Sequence, residues 1–169
     1  MIKQSECIGL PIISEKEGEI VGRVQDFLIS DKDKSIFGFI LEGNLFSGEK
    51  IILLENVLKM GKDAIVVDNK DVVSNLKVDI NYKMKDKEVY TKDGINLGMI
   101  KDIRVNEENG EIECVEISDG IISDIINGRR VLPLIGKVLF SDNNIIVEKQ
   151  AYEEIESSSK GINNYLGAF

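Results

Sequence analysis

The chain has 169 residues, of which 43% are hydrophobic and 30% charged, and its formal net charge is −9. This length suits one ordinary domain or two small ones, and the composition favours a folded protein. Histidine is absent, which excludes a catalytic triad with histidine, a histidine general base and histidine-ligated metal sites, while the acidic balance argues against DNA binding.

The amino-terminal segment carries no sign of a targeting sequence. Residues 1–6 do not form a charged region followed by an apolar stretch, as a signal peptide would. The longest apolar runs are a few residues, such as residues 51–54, whereas a membrane span needs about 20. We therefore expect a cytoplasmic protein without membrane insertion. Its two cysteines, Cys7 and Cys114, are interpreted as small apolar side chains in a reducing compartment.

The first half of the chain is typical of a series of short strands. The sequence contains 26 Ile and 14 Val against three Ala, and β-branched side chains favour strands over helices. Turn residues separate five predicted strands, which span residues 7–13, 20–30, 35–42, 50–54 and 64–68. Strands of this length and spacing indicate an all-β sandwich or barrel.

The second half of the chain repeats the first. When Gly18 is set on Gly94, an offset of 76 residues, Gly22 aligns with Gly98 and Asp26 with Asp102. Further along the offset becomes 80, so the second copy carries an insertion of four residues between Asp119 and Arg129. We predict a first small barrel over 1–78, a second over 79–150, and a C-terminal tail over 151–169 that is either a free terminus or in part a short helix.

The second predicted strand of each copy breaks the alternation of apolar and polar positions. Keeping its apolar residues on one face requires one extra residue near Asp26 and near Asp102, which indicates a β-bulge or a sharp bend. Gly22 and Gly98, inside the same strands, are typical of such bends. Alternatively, the two aspartates form an acid–base pair. We favour a structural role because they occupy equivalent places in different barrels.

The third predicted strand of the first copy is apolar on both faces. It contains Ile36, Gly38 and Ile40, whereas the second copy has Glu113 and Glu116 in this stretch. A strand that is apolar on both sides is expected to be covered on both sides. The outer cover is either the second barrel or a partner.

The insertion in the second copy is the most individual segment. A helical turn between Ser123 and Gly128 would place isoleucines on one apolar face. One interpretation is a plug over the barrel end or a contact between barrels. The other is a docking surface made of Ile121, Ile122, Ile125 and Ile126, with Arg129 and Arg130 as its polar rim.

The repeated pattern resembles the PRC-barrel family. The resemblance rests on the Gly-x-x-x-Gly string that leads to an aspartate within residues 89–102, and on the later Val-Leu-Pro-Leu strand of residues 131–134. It covers about residues 5–150 in two tandem copies, and the first copy differs at Leu53, where the second has Pro133. The family occurs in the cytoplasmic part of the photosynthetic reaction-centre H subunit and in a ribosome-maturation factor. The resemblance implies small, highly curved barrels that dock on proteins without catalysis.

Together these features predict a non-catalytic cytoplasmic adapter that binds another protein or a second copy of itself as a homodimer. We expect no catalytic residues, metal site, cofactor or DNA partner. One alternative is an accessory factor for ribosome or RNA maturation that binds a ribosomal protein. A third is a small-molecule binder or an enzyme, which would need a polar pocket with convergent carboxylates.

Overall fold

A computed structural model describes residues 1–30, 32–43, 48–75, 83–120 and 129–154 of the chain. The chain divides into two compact units. Unit 1 comprises Met1–Lys83 and Arg104–Ile112, and unit 2 comprises Met84–Ile103 and Glu113–Phe169. The predicted isoleucine surface of the insertion and most of the predicted tail lie outside the described residues.

Most of the regular structure is extended. In the first half lie β1 (Ile2–Lys3), a short helix α1 (Gln4–Cys7), β2 (Pro11–Ser14), β3 (Ile20–Ser30), β4 (Ser35–Leu41), β5 (Lys50–Leu53), β6 (Val57–Met60), β7 (Ile65–Val67) and β8 (Ser74–Asn75). Then follow β9 (Glu88–Thr91), β10 (Asn96–Val105), β11 (Ile112–Ser118), β12 (Arg130–Pro133), β13 (Leu139–Phe140) and β14 (Asn144–Val147). Residues 149–154 are helical. The all-β prediction is confirmed, and so is a tail that is helical where it begins.

The first predicted strand starts too early. Cys7 ends helix α1, and β2 begins only at Pro11. Between them Gly9 adopts φ +85°, a left-handed conformation that suits glycine and turns the chain. Its N–H donates to the carbonyl of Val24 at 2.8 Å. The turn therefore separates a helix from a strand where the sequence predicted one continuous strand.

The two sheets have the same strand order. One runs β6-β7-β2-β3-β4-β5-β8, and the other runs β13-β14-β9-β10-β11-β12, with β1 paired to β10. Each sheet contains the same parallel pairing between strands distant in sequence: β2 pairs with β7, and β9 pairs with β14. The predicted duplication is therefore confirmed at the level of topology.

Short connections force each sheet to curl into a barrel. In the strand order β6-β7-β2-β3-β4-β5, the strands β6 and β5 lie at opposite ends, yet only the three residues Leu54–Asn56 connect them. Four Cα steps span at most about 14 Å, whereas five strand spacings in a flat sheet span about 24 Å. The corresponding connection, residues 134–138 between β12 and β13, reaches at most about 21 Å. The ends of each sheet must therefore approach one another, which gives the predicted small barrels.

The turns at the start of the two copies share a left-handed glycine but differ in size. Gly18 has φ +69° and Gly94 has φ +84°, a region that favours glycine. The Gly18 N–H donates to the carbonyl of Ser14 at 2.9 Å, and the Gly94 N–H donates to the carbonyl of Thr91 at 2.9 Å. The aligned glycines therefore share the left-handed conformation, while the hydrogen bond spans four residues in the first turn and three in the second.

The strand β4 is buried on both faces, as its sequence predicted. On one face the rings of Phe27 and Phe39 meet edge to face, with centroids 5.5 Å apart. On the other face Leu28, Ile40 and Ile51 form a second buried cluster. Apolar area buried on both sides contributes to the stability of unit 1 in proportion to the area removed from water.

Unit 1 is completed by residues from the second sequence copy. The N–H of Ile36 donates to the carbonyl of Gly110 at 2.8 Å, and the N–H of Ile112 donates to the carbonyl of Lys34 at 2.8 Å. Strand β1 pairs with the Arg104 and Val105 end of β10. The segment Arg104–Ile112 thus supplies backbone hydrogen bonds to two separate edges of unit 1.

Candidate docking surface

The bend in β3 is centred on one extra residue. The strand pairs with β4 through Val24 opposite Leu41 and then Asp26 opposite Ile40, so Gln25 has no partner of its own. The Asp26 carboxylate accepts the N–H of Phe27 at 2.8 Å and the amide of Gln4 at 2.6 Å. One carboxylate therefore holds the bulged backbone and ties helix α1 to it.

The predicted bend residue Gly22 faces a flexible neighbour. The pairing of β2 with β3 shifts register where Ile12 opposes Gly22 and Ile13 opposes Ile20. A Cβ atom at Gly22 would lie 2.9 Å from the Cδ1 atom of Leu41. The end of a leucine side chain can move, so the close approach at this position is only moderately demanding.

The corresponding bend in β10 is tighter. The pairing of β10 with β9 shifts register between Asn96 and Gly98, and Gly98 adopts φ +113°. A Cβ atom at Gly98 would lie 2.4 Å from the carbonyl oxygen of Ser118. Asp102 is 3% exposed, and its carboxylate accepts the N–H of Ile103 at 2.9 Å.

Asp26 and Asp102 lie in different units, and each accepts the backbone N–H of the next residue. The structure therefore gives each aspartate a local bond to the backbone. Such a bond stabilises the local backbone, because it gives the N–H of the next residue an acceptor.

The two arginines of the predicted rim are engaged within unit 2. The Arg130 guanidinium donates to the carbonyl of Leu97 at 2.5 Å and lies 3.3 Å from the Asp119 carboxylate. The Arg129 guanidinium lies 3.9 Å from the carboxylate of Glu116, a residue only 4% exposed. Arg130 thus links the start of β12 to β10 by a hydrogen bond, and Arg129 lies near the buried carboxylate of Glu116.

A groove of about 530 Å³ opens in unit 2 beside the bend of β10. The groove is lined by acidic, basic, polar and apolar side chains and by the backbone of two glycines. The lining residues are Glu88, Asn96, Gly98, Met99, Lys101, Ser118, Asp119 and Gly120. The Tyr90 hydroxyl donates to Glu88 at 2.6 Å, and this bond raises the pKa of Tyr90. The Lys101 ammonium donates to Asp86 at 2.8 Å and lowers the pKa of that carboxyl. The charges around this groove therefore have partners within unit 2.

The outer strands of the two sheets differ at one edge. In unit 1 the outer edge of β5 pairs with β8. In the described part of the chain, β12, which corresponds to β5, pairs with β11 alone. Sequence reasoning missed β8, because two residues, Ser74 and Asn75, carry no alternation of apolar and polar side chains.

The family model of the PRC-barrel domain matches residues 1–73 and again residues 81–151. The chain belongs to the PRC-barrel family. The two matches follow the two strand orders described above, and they confirm the resemblance found in the sequence. The PRC-barrel chain is also 30% identical over 130 residues to "Uncharacterized protein YrrD" of Bacillus subtilis (strain 168), an alignment that covers 74% of each protein.

Neither a membrane-spanning helix nor a metal-binding cluster is found within the described ranges. No helix there is long and apolar enough to cross a bilayer. No group of three or more Cys, Asp or Glu side chains there is arranged to hold a metal ion.

Proposed function

We propose that this PRC-barrel protein is a non-catalytic docking protein that acts in the cytoplasm through contacts with other proteins. The filled interiors of both barrels support this role. In unit 2, Val89, Ile100, Val115, Leu132, Ile145 and Val147 are fully buried. Side chains fill the interior of a small barrel packed in this way, which supports binding on the outer surface.

The outer surface offers apolar contacts. Ile95 and Leu139 in unit 2 are 44% and 55% exposed, and Ile20 and Leu58 in unit 1 are 58% and 54% exposed. Desolvated apolar anchors contribute much of the free energy of protein association. The polar groove beside β10 has its charges paired internally, which favours a structural surface over an acid–base site.

Affinity capture with the full-length chain tests the proposal. Tagged protein is incubated with native cytosol, and the bound proteins are identified and quantified by mass spectrometry. Excess untagged chain serves as the control, because it displaces a specific partner and leaves non-specific background unchanged. Sedimentation velocity on the purified chain measures self-association in parallel.

We expect a partner in a fixed ratio to the chain, or a concentration-dependent homodimer. A strict monomer that captures no protein in a fixed ratio would contradict the docking role. A ribosomal protein as the displaced partner would favour the ribosome-maturation alternative over a general adapter.

A further inference from the structure

In unit 1 the outer edge of β5 is paired with another strand, β8. Strand β8 runs antiparallel to β5, with Ser74 opposite Ile51 and Asn75 opposite Lys50. Two residues thus cover the edge that would otherwise present unpaired backbone groups. Ile51 at the centre of this pairing is 7% exposed.

Among its described residues, unit 2 carries the same strand without this cover. Val131 corresponds to Ile51, because Ile51 pairs with Ile40 in β4 and Val131 pairs with Glu116 in β11. Val131 is 38% exposed. Among the described residues, no strand pairs with the outer side of β12. An edge strand with free backbone groups is a template for pairing with another chain.

The direction of the backbone groups of β12 follows from one hydrogen bond. The N–H of Leu134 donates to the carbonyl of Glu113 at 3.0 Å, towards β11. Backbone groups alternate in direction along a strand, so those of Leu132 and Arg130 also face β11. The N–H and the carbonyl of Val131 then face the open edge, as those of Ile51 face β8. Pro133 has no N–H, which limits the pairing to the residues around Val131.

We propose that the open edge of β12 accepts an extended peptide strand from a partner protein, antiparallel to β12 and centred on Val131. The proposal rests on the docking function above and assigns it a surface. It is a case of β-strand addition, in which main-chain hydrogen bonds give affinity and neighbouring side chains give specificity.

The chemistry of the bound strand follows from β8. A small polar side chain stands opposite the central apolar residue, as Ser74 stands opposite Ile51. The flanking arginines already pair with Glu116 and Asp119, so the site does not select an acidic peptide. The bound segment is therefore extended, short and uncharged at its centre.

The test uses the full-length chain and a capped synthetic peptide, Lys-Asp-Val-Val-Ser-Asn, which copies residues 70–75. Amide hydrogen exchange is measured first on the free protein, where we expect the Val131 amide to exchange faster than the Ile51 amide. The peptide is then titrated into ¹⁵N-labelled protein. We expect chemical-shift changes concentrated at residues 130–132, and slowing of Val131 exchange by about tenfold when nine tenths of the protein is bound.

Two variants and a second peptide make the test specific. Val131→Pro removes the outward N–H and keeps the bonds to β11, so peptide binding should be lost, while Val131→Ala should bind as the wild type does. A peptide with proline in place of serine lacks the donor opposite Val131 and should not bind. This peptide control still tests the edge if Val131→Pro does not fold.

Several results would overturn the proposal. In the free chain, a Val131 amide as protected as that of Ile51 would mean that the chain's own residues cover the edge. A homodimer abolished by Val131→Pro would assign the edge to a second copy. Shift changes elsewhere, or equal binding of both peptides, would remove the edge from binding. A partner captured equally well by Val131→Pro would leave the docking function standing and refute only this surface.

Discussion

Replacing Gly98 by alanine should destabilise unit 2 strongly. The new Cβ would lie 2.4 Å from the carbonyl oxygen of Ser118. The backbone fixes the position of the Cβ, and the oxygen is itself a backbone atom, so neither can rotate away. Overpacking of this kind costs about 1–3 kcal/mol. A side chain at φ +113° adds strain of about 1–3 kcal/mol. We expect Gly98→Ala to lower the free energy of unfolding by about 2–6 kcal/mol.

Two further glycines separate these two causes. Gly94 has φ +84°, and a Cβ added there would meet nothing within 4 Å, so Gly94→Ala should show conformational strain alone, about 1–2 kcal/mol. Gly22 would place its Cβ near only the flexible end of Leu41. Alanine there also restricts the unfolded chain, which stabilises by about 0.4–1 kcal/mol, so Gly22→Ala should be nearly neutral.

Urea denaturation followed by far-ultraviolet circular dichroism measures the three variants against the wild type. Separate transitions are fitted if the units unfold separately. The close approach of β10 to Ser118 would be refuted if Gly98→Ala and Gly94→Ala cost the same within error. An unchanged slope of free energy with urea is the control that the denatured state is comparable.

Three other perturbations follow from the same structure. Asp102→Ala should lower the free energy of unfolding by about 1–3 kcal/mol, and Asp102→Asn by less because it keeps an acceptor; equal losses in urea denaturation would contradict the buried bond. A fragment of residues 1–83 should be less stable than unit 1 in the whole chain, because it lacks Arg104–Ile112; equal amide protection in both proteins would refute this. The Ser14 hydroxyl and the Lys70 N–H hold the pKa of Glu17 below its ordinary value of 4.5. Glu17→Gln should therefore be less stable than the wild type at pH 7. This difference should be lost as the pH falls below 4.5 and through the lowered pKa, and thermal melts that show a constant difference down to pH 2 would argue against the contact.

The all-β fold and its duplication could be predicted because the sequence contains the same pattern twice. A single copy would leave the alternation of short apolar runs open to several all-β folds. The alignment of Gly18 with Gly94 and of Asp26 with Asp102 fixes equivalent turns and bends, and a small unit repeated in this way favours the same sheet in both halves.

Several elements could not be predicted because their signals are weak or distant. Strand β6 contains Val57, Leu58 and Met60 around Lys59, which is not a clean alternation, so it was missed. Strand β8 has only two polar residues. The difference between the outer edges of β5 and β12, which holds for the described residues, follows from comparing one sheet with the other, because the pairing of an edge leaves no mark in the sequence of the strand itself.

The inclusion of Arg104–Ile112 in unit 1 was the feature hardest to predict from the sequence. Residues 106–111 read in the sequence as an ordinary polar turn between β10 and β11, and nothing in that turn indicates that Gly110 bonds to Ile36. Such a pairing joins residues about 70 positions apart, and long-range contacts depend on tertiary structure rather than on local propensity.

The segment Arg104–Ile112 also determines when unit 1 can be completed during synthesis of the chain. A nascent chain emerges from its amino-terminal end, so the first barrel lacks part of its hydrogen bonding until Ile112 has left the ribosome. By then all of β10 has already been released as well. The amino-terminal half must wait for more than twenty residues beyond Lys83, and during that delay its uncompleted edges are open to chaperones or to a premature partner.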